Sequence, residues 1–243
     1  MDLSEDHALA ARLADAAGGL LLQLRAASPV EGKALGALGD QVANAFLMGA
    51  LRELRPDDGI LSEEEAPNTV RLSKSRVWVI DPLDGTREFS EGRADWAVHV
   101  ALTVDGRPIA GAVAIPGLGV TYTTADPTPL AACANRVVLV SRTRPPLEAE
   151  KVARSIDGSI EGMGSAGAKS MAVGRGEALA YVHSGGQYEW DSCAPAAVAK
   201  AMGLHVSRLD GSETLYNRQD PYMPDLLVCR PELADTILRA INS

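Results

Sequence analysis

A short apolar run that ends on two acids constrains this chain more than any other feature. Residues 77–89 read VWVIDPLDGTREF, so four apolar residues are followed by Asp81 and Asp84, with a proline between the acids and Gly-Thr behind them. The apolar run predicts a buried strand. Carboxylates at the end of a strand point into an open cleft at the edge of the sheet rather than into the core. Two carboxylates so close together repel each other unless a cation lies between them.

This turn offers ligands for a cation and for an anion. The carboxylates of Asp81 and Asp84 and the carbonyl of Leu83 are the hard oxygen ligands that Mg²⁺ prefers. Gly85 and Thr86 open a short helical turn, TREF, whose backbone N–H groups are suited to hold phosphate. The pattern favours metal-assisted phosphoryl transfer, and the alternative is a capped turn without chemistry.

Further acids lie at comparable positions elsewhere. Glu63 follows the strand-like GIL at residues 59–61, and Asp191 stands at the start of a predicted helix in EWDSCAPAAV. Asp40 is predicted to begin another helix. For Asp40 and Asp191 the alternative to a site role is an ordinary helix N-cap, in which the acid accepts from free backbone N–H groups.

Charge and composition exclude several classes of protein. The net charge of −9 over 243 residues disfavours binding of long nucleic acid, while a small anionic ligand remains compatible if local cations are present. No apolar run approaches the ~18–20 residues of a membrane span. The cysteines are too few and scattered for a disulfide framework, which favours reduced thiols and a cytoplasmic location; they are Cys133, Cys193 and Cys229.

The hydrophobic periodicity changes along the chain. Helical spacing predicts a helix over 5–25, a loop over 28–39 and a second helix from Asp40. Strand-like runs separated by short turns then predict antiparallel neighbours over 77–124. Alternating strands and helices follow. We therefore expect an α+β metal-binding domain over 1–135 and an α/β substrate-side domain over 136–243.

Four motifs resemble one phosphatase family in order and spacing. LSEE, WVIDPLDGTREF, GSAGAK and EWDSCAPAA are similar to the lithium-sensitive, magnesium-dependent phosphatases related to inositol monophosphatase, from Asp40 to about Asn217. Within that family, DGTREF and VSRTRPP look like the 3'(2'),5'-bisphosphate nucleotidases of the CysQ type. The resemblance implies the layered α-β-α-β-α sandwich of the inositol monophosphatase/fructose-1,6-bisphosphatase type.

The resemblance also implies a metal site and catalytic groups. The site would hold two Mg²⁺ ions, and a third, more loosely held ion would lie beside Glu63. Asp40 and Thr86 would orient and deprotonate the attacking water, and Glu63 would be a further catalytic residue. The backbone N–H groups of Gly85 and Thr86 would bind the scissile phosphate. The implied metal ligands are Glu63, Asp81, the Leu83 carbonyl, Asp84 and Asp191.

For the substrate, the resemblance implies a small nucleoside bisphosphate, namely 3'-phosphoadenosine 5'-phosphate. This compound would be a side product of sulfate assimilation, and the enzyme would hydrolyse it to AMP. Lys169 is expected to meet the second phosphate, and the four histidines are expected to be structural or surface residues. The alternatives are an inositol or fructose-1,6-bisphosphate phosphatase and a non-catalytic metal or nucleotide sensor, in each case a monomer or a homodimer. The candidate substrate residues are Asp84, Gly85, Thr86, Arg87, Ser141, Arg142, Ser165, Lys169, Tyr188 and Asp191.

Overall fold

Helices and strands alternate with a few short 3₁₀ turns in the computed structural model, which describes residues 3–243. The helices are α1 (Ser4–Ala27), α2 (Gly32–Leu54), α3 (Thr86–Ser90), α4 (Glu148–Ser155), α5 (Ala166–Gly174), α6 (Glu189–Ala201) and α7 (Ala234–Ile241). The strands are β1 (Gly59–Ser62), β2 (Arg76–Asp84), β3 (Ala97–Val104), β4 (Arg107–Ile115), β5 (Val120–Thr123), β6 (Val137–Ser141), β7 (Ser159–Met163), β8 (Ala180–Tyr188), β9 (His205–Ser207) and β10 (Tyr222–Cys229).

The strands form two five-stranded sheets. The first has the order β1-β2-β3-β4-β5, in which β1 is parallel to β2 and the other neighbours are antiparallel. The prediction of antiparallel neighbours over 77–124 is confirmed, because the short turns allow no crossover. The second sheet has the order β7-β6-β8-β10-β9, with parallel pairing of β6 to β7 and β8, and antiparallel pairing of β10 to β8 and β9.

The sheets and helices stack as five layers, which confirms the predicted sandwich. Helices α1 and α2 cover one face of the first sheet, where Leu47 and Trp78 are fully buried. Helices α5 and α6 lie between the two sheets, and α4 and α7 cover the outer face of the second sheet. The division at residues 135 and 136 stays a prediction; the chain there runs without helix or strand.

Small residues let α6 approach the first sheet closely. A Cβ added at Gly111 on β4 would lie only 3.0 Å from the Cβ of Ala197 on α6. Helix α6 comes from the second half of the chain, and its packing against the first sheet places the first turn of α6 at the carboxyl end of β2. The fold thereby brings Asp191 to the two acids that follow β2.

The loop predicted before Asp40 is wrong, since α2 begins at Gly32 and Asp40 lies inside the helix rather than at its N-terminal end. The glycines suggested a loop, but they serve close packing. A Cβ at Gly36 would lie 2.7 Å from the Thr86 Cγ2, and one at Gly39 would lie 2.9 Å from the Leu83 Cδ2. These contacts hold α2 against the turn between the two acids.

Two elements escaped the sequence analysis. Strand β7 is almost wholly exposed at the edge of its sheet, so it lacks the apolar alternation of a half-buried strand. The 3₁₀ turn Thr69–Ser73 has no periodicity long enough to read. Helix α4 begins at Glu148, after the Pro145-Pro146 pair, because a residue that precedes proline disfavours the helical conformation.

Candidate active site

The turn after β2 is built around an irregularity in the β2–β3 ladder. Asp81 pairs with His99 and Asp84 with Ala97, so the register breaks between the two acids. Such irregularities re-aim side chains. The Leu83 N–H donates to the Asp81 Oδ1 at 3.1 Å, and Gly85 has φ +94°, which a residue with a Cβ rarely adopts. The chain then turns directly into α3.

Asp191 completes a cluster of three acids. It lies in the first turn of α6, two residues after the helix begins, so the predicted start at Asp191 is slightly late. Its Oδ2 accepts from the Tyr188 N–H at 2.7 Å, and this bond fixes the carboxylate at the helix end. One carboxylate oxygen each from Asp81, Asp84 and Asp191 lie within 4.8 Å of one another.

Crowding makes ionisation of this cluster costly. Burial and the charges of neighbouring acids, Glu63 first, raise the pKa of Asp81. Burial and the charge of Asp84 raise the pKa of Asp191 to about 7. Since hard oxygen ligands converge where their own charges repel, the donor set fits a divalent cation.

Asp84 is the exception within the cluster. Burial alone would raise its pKa, but the charge of His99, then the charge of Lys169 and the hydroxyl of Ser165, outweigh burial and hold the pKa below its ordinary value. The Asp84 Oδ2 accepts from the Ser165 Oγ at 2.5 Å and from the Gly167 N–H at 2.8 Å. Asp84 is therefore held ionised and oriented by groups from α5 and its N-cap.

His99 is fully buried next to Asp84. Its Nε2 lies 3.1 Å from the Asp84 Oδ2, an ion-pair distance, although the ring is not aligned for a well-formed hydrogen bond. Its Nδ1 lies 3.1 Å from the Trp190 carbonyl oxygen. The sequence alone predicts only a structural or surface role for this histidine, because it does not reveal the β2–β3 register that places His99 opposite Asp81.

Glu63 and Asp40 flank the cluster. Glu63 follows β1 as an exposed residue, yet loss of hydration on the side facing the acids and the charge of Asp191 raise its pKa to about 8. Burial and the charge of Glu64 raise the pKa of Asp40 to about 7. Glu63 is not part of the three-acid cluster among the described residues.

Thr86 connects Asp40 to the metal-binding turn. Its Oγ1 lies 3.3 Å from the Asp40 Oδ1 and 3.2 Å from the Leu83 carbonyl oxygen, and its hydroxyl can donate to either acceptor. The predicted pairing of Asp40 with Thr86 is therefore present in the folded chain, although Asp40 comes from the middle of α2. A carboxyl whose pKa lies near neutrality is suited to accept and release a proton.

Comparison with known proteins identifies the family. Residues 2–243 match the profile of the inositol monophosphatase family. The chain belongs to this family. It is 47% identical over 253 residues to a protein of Mycobacterium leprae named 3'-phosphoadenosine 5'-phosphate phosphatase, covering 98% of this chain and 93% of that protein. It is 32% identical over 198 residues to the 3'(2'),5'-bisphosphate nucleotidase CysQ of Escherichia coli, covering 76% of this chain and 80% of that protein.

Solved structures agree with the family fold. CysQ from Bacteroides thetaiotaomicron superimposes with a TM-score of 0.77 at 25% identity, over 93% of this chain and 97% of that chain. An inositol monophosphatase from Zymomonas mobilis gives 0.77 at 22% identity, over the full length of both chains, which is a likeness of fold. Among the described residues, no helix is long and apolar enough to cross a membrane.

A polar cavity of about 180 Å³ opens beside the acid cluster. Seven of its lining residues were among the predicted site residues; they are Asp84, Arg87, Ser141, Arg142, Ser165, Lys169 and Asp191. The structure thus brings together side chains from both halves of the chain. Tyr188 does not line this cavity; it is exposed and stacks on Trp190 with ring centroids 4.9 Å apart.

The cationic residues at this cavity already have protein partners. The Arg142 Nη1 donates to the Glu88 Oε1 at 2.8 Å, and its Nη2 donates to Asp95. Arg87 is exposed and pairs with Glu91 at 2.8 Å. Glu88 was missed by the sequence analysis, since a glutamate in a short helix has the pattern of a solvated surface residue.

The Lys169 ammonium is also occupied. It is buried, and its Nζ lies 2.6 Å from the Ser165 carbonyl oxygen, 3.1 Å from that of Gly164 and 3.4 Å from that of Met163. Three donors therefore meet three acceptors. These contacts give Lys169 partners other than the second phosphate that the sequence analysis assigned to it.

Proposed function

We propose that this chain is a metal-dependent phosphatase that removes the 3'-phosphate of 3'-phosphoadenosine 5'-phosphate, giving AMP and inorganic phosphate. One observation carries the proposal: three acids have oxygens within 4.8 Å of one another, and two of them, Asp84 and Asp191, line a polar cavity together with arginine and serine side chains. The relatives that are 47% and 50% identical over more than nine-tenths of this chain carry the corresponding name.

The cofactor that we propose is Mg²⁺. Asp81, Asp84 and Asp191 would hold it, with Glu63 and the Leu83 carbonyl as further ligands and two ions in total, or three if a looser one joins Glu63. Hard oxygens in a polar cavity suit Mg²⁺ better than softer transition metals. Bound there, Mg²⁺ would supply positive charge to the phosphate oxygens and make water more acidic.

Residues of the chain itself accept the proton of the attacking water, orient that transfer and bind the scissile phosphate. The Asp40 carboxylate accepts the proton of the attacking water, a task for which a pKa of about 7 is suited. The Thr86 hydroxyl, within reach of Asp40, fixes the direction of this transfer. The backbone N–H groups of Gly85 and Thr86 at the start of α3 hold the scissile phosphate.

On the nucleotide side, Ser141, Arg142 and Ser165 line the cavity and Arg87 lies at its rim. We assign the second phosphate to Arg142 and Arg87, because guanidinium groups bind phosphate through paired hydrogen bonds. A guanidinium has five N–H donors, so the carboxylate contacts of these two arginines leave donors for phosphate oxygens. Tyr188 remains a candidate for contact with the base, from outside the cavity. The cytoplasmic location, the monomeric or dimeric state and the link to sulfate assimilation are parts of the same proposal.

The proposal is tested by the identity of the product. The protein is incubated with 3'-phosphoadenosine 5'-phosphate and Mg²⁺, released phosphate is measured, and the nucleoside monophosphate is separated by chromatography. We expect AMP with its phosphate on the 5' position. Asp81→Asn should release no phosphate, while the exposed control Asp57→Asn should match the wild type. Formation of adenosine 3'-phosphate would contradict the proposed regiochemistry.

A further inference from the structure

The most unusual backbone near the active site is at Ser165, the N-cap of α5. Ser165 has φ +46° and ψ 131°, a region that residues with a Cβ rarely adopt. Its hydroxyl makes two contacts, donating to the Asp84 Oδ2 at 2.5 Å and accepting from the Ala168 N–H at 2.9 Å. The strained conformation therefore aims the hydroxyl at a member of the acid cluster.

The carbonyl groups of this residue and of the two residues before it converge on one point. The oxygens of Met163, Gly164 and Ser165 all lie within 3.4 Å of one atom, the Lys169 Nζ. Carbonyl oxygens that point at one spot repel each other unless a cation lies there. Lys169 is 4% exposed and sits over the ring of Tyr181, with its Nζ 4.9 Å from the centroid.

The backbone of this turn is packed so closely against its neighbours that larger residues would not fit at its two glycines. A Cβ added at Gly164 would lie 2.4 Å from the Glu88 Cγ, and one at Gly167 would lie 2.2 Å from the His99 Nε2. The turn is thus pressed against the groups that surround Asp84. With the backbone packed so tightly, the ammonium is the group that neutralises the three carbonyl dipoles.

An ammonium has three donors and no acceptor, so three carbonyl contacts use all of its protons. We infer that Lys169 is a positioning residue that fixes the 163–165 backbone, through which Ser165 and Gly167 hold Asp84 for its cation, and that Lys169 does not bind the second phosphate. This assignment rests on the proposed metal-dependent phosphatase function. Burial lowers the pKa of Lys169 to about 8, which still leaves the group mostly charged at neutral pH.

The first test compares two substrates. Lys169→Met removes the ammonium and keeps most of the side-chain volume. We expect kcat/KM to fall by about tenfold or more, by the same factor for 3'-phosphoadenosine 5'-phosphate and for adenosine 3'-phosphate, which lacks the second phosphate. The loss should lie in kcat. A loss confined to the bisphosphate, expressed as a higher KM, would overturn the inference and return Lys169 to the substrate.

The second test does not need turnover. Titration calorimetry with Mg²⁺ should show binding about tenfold weaker for Lys169→Met than for the wild type, since residues that orient metal ligands typically change affinity by about 10–100-fold. The exposed control Lys74→Met should bind as the wild type does. Unchanged affinity in Lys169→Met would overturn the positioning role even if the wild type proved inactive on every phosphate ester.

A double-mutant cycle separates positioning from a general loss of packing. Ser165→Gly accepts the positive φ without strain and removes the hydroxyl that reaches Asp84. If Lys169 acts through Ser165, adding Lys169→Met to Ser165→Gly should weaken Mg²⁺ binding by much less than tenfold. Full additivity would refute the coupling. Should Lys169→Met not yield folded protein, Lys169→Gln, which keeps an N–H₂ donor group, carries the same comparisons.

Discussion

Replacing Asp191 by Asn should make the metal-free protein more stable while abolishing its activity. The pKa of Asp191 is raised from its ordinary value of 3.8 to about 7. At about 1.4 kcal/mol for each tenfold change in acidity, this corresponds to about 4 kcal/mol of destabilisation above pH 7. Because Asp191 is half-buried and shares its proton with neighbouring acids, we halve the figure to about 2 kcal/mol.

The substitution preserves the hydrogen bond that orients the side chain. An asparagine Oδ1 can accept from the Tyr188 N–H as the Asp191 Oδ2 does at 2.7 Å. A gain of about 2 kcal/mol in a chain of this length raises the Tm by about 4–8 °C. The assay is thermal unfolding at pH 8 in a chelator, followed by phosphate release with Mg²⁺ restored.

A matched variant at Asp84 should change the Tm of the metal-free protein in the opposite direction. Asp84→Asn removes a carboxylate whose pKa lies below its ordinary value because His99, Lys169 and Ser165 stabilise its charge. Its metal-free Tm should therefore fall, although activity is lost in the same way. The exposed control Asp57→Asn should change neither quantity. A lower Tm for Asp191→Asn, or a higher one for Asp84→Asn, would show that the account of the cluster's repulsion is wrong.

Three further outcomes follow from the same site. Chelation of divalent ions should abolish phosphate release, Mg²⁺ should restore it, and Li⁺ or Ca²⁺ should inhibit it, since Ca²⁺ prefers a longer and looser coordination shell; activity that survives chelation would exclude the proposed cofactor. Asp40→Asn should lower kcat by about 10²–10⁴-fold with little effect on KM, because a general base contributes about that much; this is checked by steady-state kinetics. Metal-free stability should fall between pH 7 and 8, because raised pKa values at Asp40, Glu63 and Asp191 give stability that is complete near pH 4 and lost as pH rises through the folded-state pKa values; a Tm that rises over this range, where His183 is mostly neutral in both states, would contradict that sign.

The pair of acids Asp81 and Asp84 and the first sheet could be predicted because their signals are local. An apolar run that stops at two acids, followed by short turns between apolar strands, needs no knowledge of distant contacts. The pairing of Asp40 with Thr86 came from the family resemblance rather than from the pattern. The two side chains lie 3.3 Å apart although the predicted helix start was wrong, so the neighbour of a residue can be inferred when its secondary structure is not. Their catalytic role stays a prediction.

What the sequence could not provide depends on packing between distant segments. Gly36 and Gly39 suggest a loop until Thr86 and Leu83 are known to press against them. The contact of His99 with Asp84 depends on the register of β3 against β2. A lysine four residues after a helix N-cap gives no sign that its ammonium turns back onto the preceding carbonyl groups.

The central claim is that this phosphatase is built for a nucleoside bisphosphate. The most direct test measures kcat/KM with Mg²⁺ for 3'-phosphoadenosine 5'-phosphate, inositol 1-phosphate and fructose 1,6-bisphosphate side by side. A charge-assisted contact to a second phosphate is worth about 1.5–3 kcal/mol, so the nucleotide should exceed inositol 1-phosphate by about one to two decades. Faster turnover of inositol 1-phosphate or fructose 1,6-bisphosphate would contradict the assignment and make this chain a sugar-phosphate phosphatase.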